Sequence, residues 1–143
     1  MSLNKKIQVS IELLDDLLCF FHSSKSEDHA DAFYQAFDTN NRLALEELFC
    51  IILWKPWFSK YTAEKKQCYK QTLKYFLHMG EKERGGRSVL ERPFGDPCWM
   101  LREPDNIKDF YIWLWEYLFP NEDWQDFNLD DYEEVDGMDF LPD

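Results

Sequence analysis

The chain has 143 residues, a net charge of −12 and a heavy aromatic load of twelve Phe, seven Tyr and six Trp. That length forms one domain and buries a core without disulfide or metal staples, while the overall acidity opposes direct contact with a nucleic-acid backbone. The longest dense apolar run, residues 110–119, is about half the roughly 20 residues that span a bilayer, and Glu12, Asp15 and Asp16 break up the N-terminal apolar stretch before any cleavage site, so a soluble, cytoplasmic protein is expected.

Ile7, Val9 and Ile11 alternate with polar residues, which suits a short strand or extended entry. Ser10 then serves as an N-cap, and Leu14, Leu17, Leu18 and Phe21 form the stripe of a first helix ending at His22. Ser26 caps a second, with Ala30, Phe33, Tyr34 and Phe37 at helical spacing. A third is expected over residues 42–54, with Leu45, Leu48, Phe49 and Ile52 on one side and Pro56 as its stop. Thr62 opens a fourth over residues 63–79, where Tyr69, Leu73 and Phe76 make the stripe and Gly80 suits the C′ position.

Residues 81–104 hold three Gly and three Pro and read as a long connection, with a short strand or hairpin around residues 87–90. Asp105 is expected to cap a fifth helix bearing Ile107, Phe110, Tyr111, Leu114 and Leu118 and closed by Pro120. That helix is apolar nearly all round, so it is either central or shared with a partner.

Charge divides the chain into blocks. Residues 4–54 carry a net of −5, residues 55–102 a net of +6 and residues 103–143 a net of −13. Opposite blocks in one chain tend to find each other, so the acidic end is expected to neutralise the basic middle.

Signatures of chemistry are sparse. Cys19, Cys50, Cys68 and Cys98 follow no paired spacing, and three of them fall in predicted helices on or near apolar faces, as reduced core thiols do. Cys19 and His22 make one tight ligand pair, but structural zinc wants two such pairs. There is no nucleophile elbow, and Gly85-Gly86-Arg87-Ser88 lacks the spacing of a phosphate-binding loop. Lysines interleaved with Trp57, Phe58, Tyr61 and Tyr69 could stack single-stranded nucleic acid, but core packing explains that aromatic spacing better.

Residues 121–143 are the most distinctive segment, with ten acidic residues, no basic one and aromatic residues throughout. Three readings compete. The aromatics dock on the domain while the carboxylates cover the basic block; the segment is disordered and folds on a partner; or it imitates nucleic acid. As a helix, 23 residues rise about 35 Å, which spaces ten carboxylates at roughly 3.5 Å, near the ~3.4 Å per charge of one DNA strand.

The stretch Lys6-Ile7-Gln8-Val9-Ser10-Ile11-Glu12-Leu13-Leu14, then Leu45-Glu46-Glu47-Leu48 and Tyr61-Thr62-Ala63-Glu64-Lys65-Lys66, resembles a group of short uncharacterised helical proteins encoded on bacterial mobile elements. Ser10 stands where that group has Pro, Lys60-Tyr61-Thr62-Ala63 is the nearest match to its Tyr-Lys-Thr-Ala segment, and Gly80 falls where its final helix ends. The resemblance covers residues 6–80 and implies a bacterial, mobile-element or phage context, with no activity to carry over.

Together these readings predict a mainly α fold: a compact domain of about five helices over residues 1–120, loop-rich over 81–104 and with room for a short strand or hairpin, then an acidic aromatic tail over 121–143. The expected function is non-enzymatic binding of a macromolecule, as an accessory or inhibitory (anti-defence) factor whose acidic surface occupies a basic groove. The alternative is a regulatory or structural adaptor whose tail packs on its own basic middle. No catalytic residue, cofactor or metal is expected. The partner-binding residues are Trp113, Trp115, Trp124, Asp126, Phe127, Asp130, Asp131, Tyr132, Glu133 and Glu134. The expected partner is a protein, for instance a basic nucleic-acid-binding one; a homo-oligomer is allowed, and no membrane is involved.

Overall fold

The computed structural model describes residues 5–21, 34–84, 86–96 and 99–142. Among these the fold is mainly α-helical, with four α-helices. They are α1 (Ile11–Leu18), α2 (Arg42–Leu48), α3 (Ala63–Met79) and α4 (Ile107–Leu118). Strands β1 (Ile7–Val9) and β4 (Tyr132–Glu134) pair in parallel, and β2 (Glu83–Arg84) and β3 (Arg87–Ser88) form an antiparallel hairpin. The helix expected from Ser26 falls largely outside the described residues. Residues 34 and 35 are helical, and the Tyr34 hydroxyl donates to the Phe20 carbonyl at 2.8 Å.

The helix starts follow from their caps. Ser10 and Thr62 are extended, and their side chains accept the amides of Leu13 and Lys65. Helix α4 begins one residue later than expected. Asn106, not Asp105, accepts the Asp109 amide at 3.3 Å, while the Asp105 amide is held by Asn40 at 2.7 Å.

The single helix expected over residues 42–54 changes pitch instead. After Leu48 it widens into a π-turn, Phe49–Trp54, where the Lys55 amide reaches back five residues to the Cys50 carbonyl. The widened turn keeps both Phe49 and Leu53 fully buried. Gly80 also differs from expectation. Its φ of −80° is right-handed, so it is not a left-handed cap. Crowding selects it: a Cβ there would stand 2.5 Å from the Phe76 carbonyl oxygen and 2.9 Å from Leu90 Cγ.

Helix α3 lies at the centre and packs on α1, α4 and β1, while α2 packs on α4. Its Tyr69, Leu73, Phe76 and Leu77 meet Leu13, Leu14, Leu17 and Leu18 of α1 and Phe110, Leu114 and Trp115 of α4 in one core. At one end Phe21, Phe49 and Phe110 meet edge to face at 5.6–6.1 Å between centroids, with Phe94 at 5.5 Å from Phe110. Leu90, Phe94, Trp99 and Met100 of the connection are drawn in by the same cluster. Trp99 packs on Phe21, the Met100 amide donates to the Phe21 carbonyl, and the buried Tyr111 hydroxyl donates to the Leu90 carbonyl at 2.8 Å. No helix among the described residues is long and apolar enough to cross a membrane.

Candidate binding surface

The acidic C-terminal segment lies folded along the face made by β1 and the outer side of α3. It leaves α4 at Phe119, and its first anchor is Trp115, whose indole N–H donates to the Glu122 carbonyl at 2.9 Å. Trp115 is buried. It therefore holds the segment from beneath and offers no surface to a partner, contrary to its expected place in a binding face. Trp113, two residues earlier, is half-buried against the core.

Beyond this point His78, near the end of α3, receives the segment. Its Nε2–H donates to the Trp124 carbonyl at 2.8 Å, since a carbonyl can only accept. The imidazole stacks on Phe127 at 4.2 Å. The Lys108 ammonium sits 5.4 Å from the Trp124 ring centre. Phe127 in turn stacks on Tyr132 at 4.9 Å. Tyr132 is buried like Trp115, and its hydroxyl donates to Gln71 at 2.5 Å. Asn128 caps the short 3-10 turn Leu129–Asp131 by accepting the Asp130 amide, which delivers the chain into β4.

Two of the ten carboxylates close ion pairs with the basic block. Glu122 meets Lys70 at 2.6 Å, and Glu134 meets Arg84 through both guanidinium nitrogens at 2.6 and 3.0 Å. The Tyr75 hydroxyl adds a third bond to Glu134 at 3.0 Å. Arg84 therefore holds the Glu134 carboxyl below the usual carboxylate range, with help from Tyr75 and against the cost of partial burial.

Of the other eight, Asp143 lies outside the described residues and seven remain. Asp123, Asp126, Asp130, Asp131, Glu133, Asp136 and Asp139 are all exposed, and none is ion-paired among the described residues. Leu129 and Met138 are exposed among them. The segment is thus a ridge, apolar underneath and acidic on top. Of the residues expected to bind a partner, Asp126, Asp130, Asp131 and Glu133 lie on the top, whereas Trp115, Trp124, Phe127, Tyr132 and Glu134 fix the segment in place.

The residues that receive the ridge were not singled out in the sequence: Lys70, Gln71, Tyr75, His78 and Arg84. The signal that points to two of them is the excess of basic residues in the middle block. The remaining three are ordinary polar or aromatic positions of a helix.

Elsewhere a concavity of about 710 Å³ is lined by Asp15, Cys19, Arg87, Arg92 and Asp96, among others. Burial and then the Asp16 carboxylate push the Cys19 thiol up, away from the thiolate that nucleophilic chemistry needs. Among the described residues no three His, Cys, Asp or Glu gather to hold a metal, and His22, the expected neighbour of Cys19, lies outside them. No protein-family model, curated protein sequence or solved structure matches the chain.

Proposed function

We propose that this is a non-enzymatic binding protein that presents its acidic C-terminal ridge to the positively charged surface of a partner protein. The observation that carries the reading is the division of labour among the carboxylates. Glu122 and Glu134 are spent on Lys70 and Arg84, while seven others stand exposed on a folded support. A protein that only needed to neutralise its basic block would not require those seven, because mutual repulsion makes them costly to the compact state.

Their presentation suits a basic groove. Folding the support beforehand lowers the ordering cost a disordered acidic segment would meet on binding. The partner class with such a groove is a nucleic-acid-binding protein, and occupying the groove would inhibit it. In a mobile-element or phage setting, inhibition of a host defence protein is the use such a surface would have.

The second reading, a structural adaptor whose acidic segment completes its own fold, draws support from the buried Trp115 and Tyr132 and the two ion pairs. The two readings share the anchored underside and differ over the exposed top. Capture from a bacterial lysate at low ionic strength, repeated with excess duplex DNA, separates them. An inhibitor loses its captured basic protein to the DNA and to added salt. An adaptor holds its partner through both.

A further inference from the structure

We propose that the open edge of β4 takes up an extended, positively charged segment of the partner as a third strand. This rests on the acidic ridge being a partner surface and states how the partner sits on it.

The register decides which backbone groups are in use. Ile7 lies beside Tyr132, Gln8 beside Glu133 and Val9 beside Glu134, and the Val135 amide donates to the Val9 carbonyl at 2.8 Å. In a parallel ladder with this register, residues 7 and 9 bond to residues 131, 133 and 135. The backbone of Glu134 therefore points the other way, off the free edge. The Tyr132 carbonyl points with it, while the Tyr132 amide is used by the Leu129 carbonyl. Among the described residues nothing hydrogen-bonds to the Glu134 amide or carbonyl, and residues 138–142 do not pair with β4. A strand laid along this edge would find a carbonyl, an amide and a carbonyl in sequence.

Charge selects the occupant. Exposed sheet edges are open to pairing with any strand unless charge forbids it. Here Asp131, Glu133 and Asp136 flank the edge, so a second copy of β4 is repelled and a cationic strand is drawn in. The exposed Leu129 and Met138, on either side of β4, offer apolar contact at the two ends. The fitting segment alternates Lys or Arg with apolar residues. Two-stranded sheets are weak alone and gain from a third member.

The test uses the full chain and a short acetylated peptide of alternating Lys and Val, beside the same peptide with alternate backbone amides N-methylated. Both have the same charge, but only the first can pair. Amide exchange at Glu134, resolved by NMR, is the second readout. Strand addition predicts that the unmodified peptide binds at low ionic strength, that methylation weakens it about tenfold or more through lost backbone bonds, and that the Glu134 amide becomes protected only with the unmodified peptide. Equal binding of both peptides with an unprotected Glu134 amide overturns strand addition and leaves the acidic ridge as a purely electrostatic surface. Binding of neither peptide overturns strand addition and counts against the ridge reading as well. Glu134→Pro against Glu134→Gln checks the same point from the protein side. Both variants lose the ion pair with Arg84, but only the first loses the edge amide and should bind the unmodified peptide more weakly.

Discussion

The imidazole of His78 lies flat on the ring of Phe127, with centroids 4.2 Å apart and planes 5° from parallel. One residue belongs to the longest helix and the other to the acidic segment, so this contact fastens the segment to the core. Phe127→Ala removes the ring from both His78 and Tyr132. A fully buried Phe costs ~3–5 kcal/mol when truncated, and this half-buried one should cost about 1–3 kcal/mol, read from urea unfolding. The variant should also speed amide exchange in residues 121–135.

Trp115 and Trp113 sit on one helix in different settings. Trp115→Ala should destabilise the domain by ~3–5 kcal/mol, because it empties a buried site and orphans the Glu122 carbonyl. Trp113→Ala removes a half-buried ring and should cost about 1 kcal/mol. Equal losses in chemical denaturation would contradict the packing described for α4.

Acid should loosen the ridge through Glu134. Its carboxyl is held below its ordinary range by Arg84, so the folded state binds the proton less tightly than the unfolded state does. The stabilisation is present above the unfolded carboxylate pKa and is lost as pH falls through the folded one. Measured against pH, wild type should exceed Glu134→Gln in stability near neutrality, and the gap should close in acid. A gap that widens on acidification would reverse the sign of this interaction.

Two glycines separate crowding from backbone strain. Gly80→Ala has a right-handed backbone that Ala tolerates, but its Cβ would press on the Phe76 carbonyl and Leu90. Overpacking of this kind costs roughly 1–3 kcal/mol. Gly86→Ala has open space around it and a φ of +93°, so its cost is conformational, about 1 kcal/mol. Melting curves of the two variants should rank Gly80→Ala as the more damaging.

What the sequence makes legible follows the physics of local signals. Ser10 and Thr62 mark helix starts because capping is written within a few residues. The hairpin near Arg87 is announced by its glycines, and it falls slightly earlier than the residues 87–90 expected. Nothing local announces the π-turn at Phe49–Trp54, because it adjusts spacing to Phe21, just beyond α1, and to Phe110 of α4. The pairing of β1 with β4 is equally hidden. Tyr132-Glu133-Glu134 has little strand character alone and is recruited by Val9 from the opposite end of the chain. Hence the acidic residues of the site can be named from sequence, whereas the split between anchoring Glu134 and outward Glu133 cannot, since strand alternation is known only once the strand is.

The central claim is that the exposed carboxylates bind and the anchored ones fold. Replacing Asp130, Asp131 and Asp136 with Asn and Glu133 with Gln, while keeping Glu122 and Glu134, tests it most directly. Affinity for the partner captured at low ionic strength is measured by calorimetry against salt, beside the thermal stability of the variant. The account predicts stability within about 0.5 kcal/mol of wild type, as for exposed positions, with affinity reduced about tenfold or more and a flatter salt dependence, since exposed charges act through a screened field of ~8 Å reach at physiological ionic strength. Undiminished affinity with the same salt dependence would contradict it.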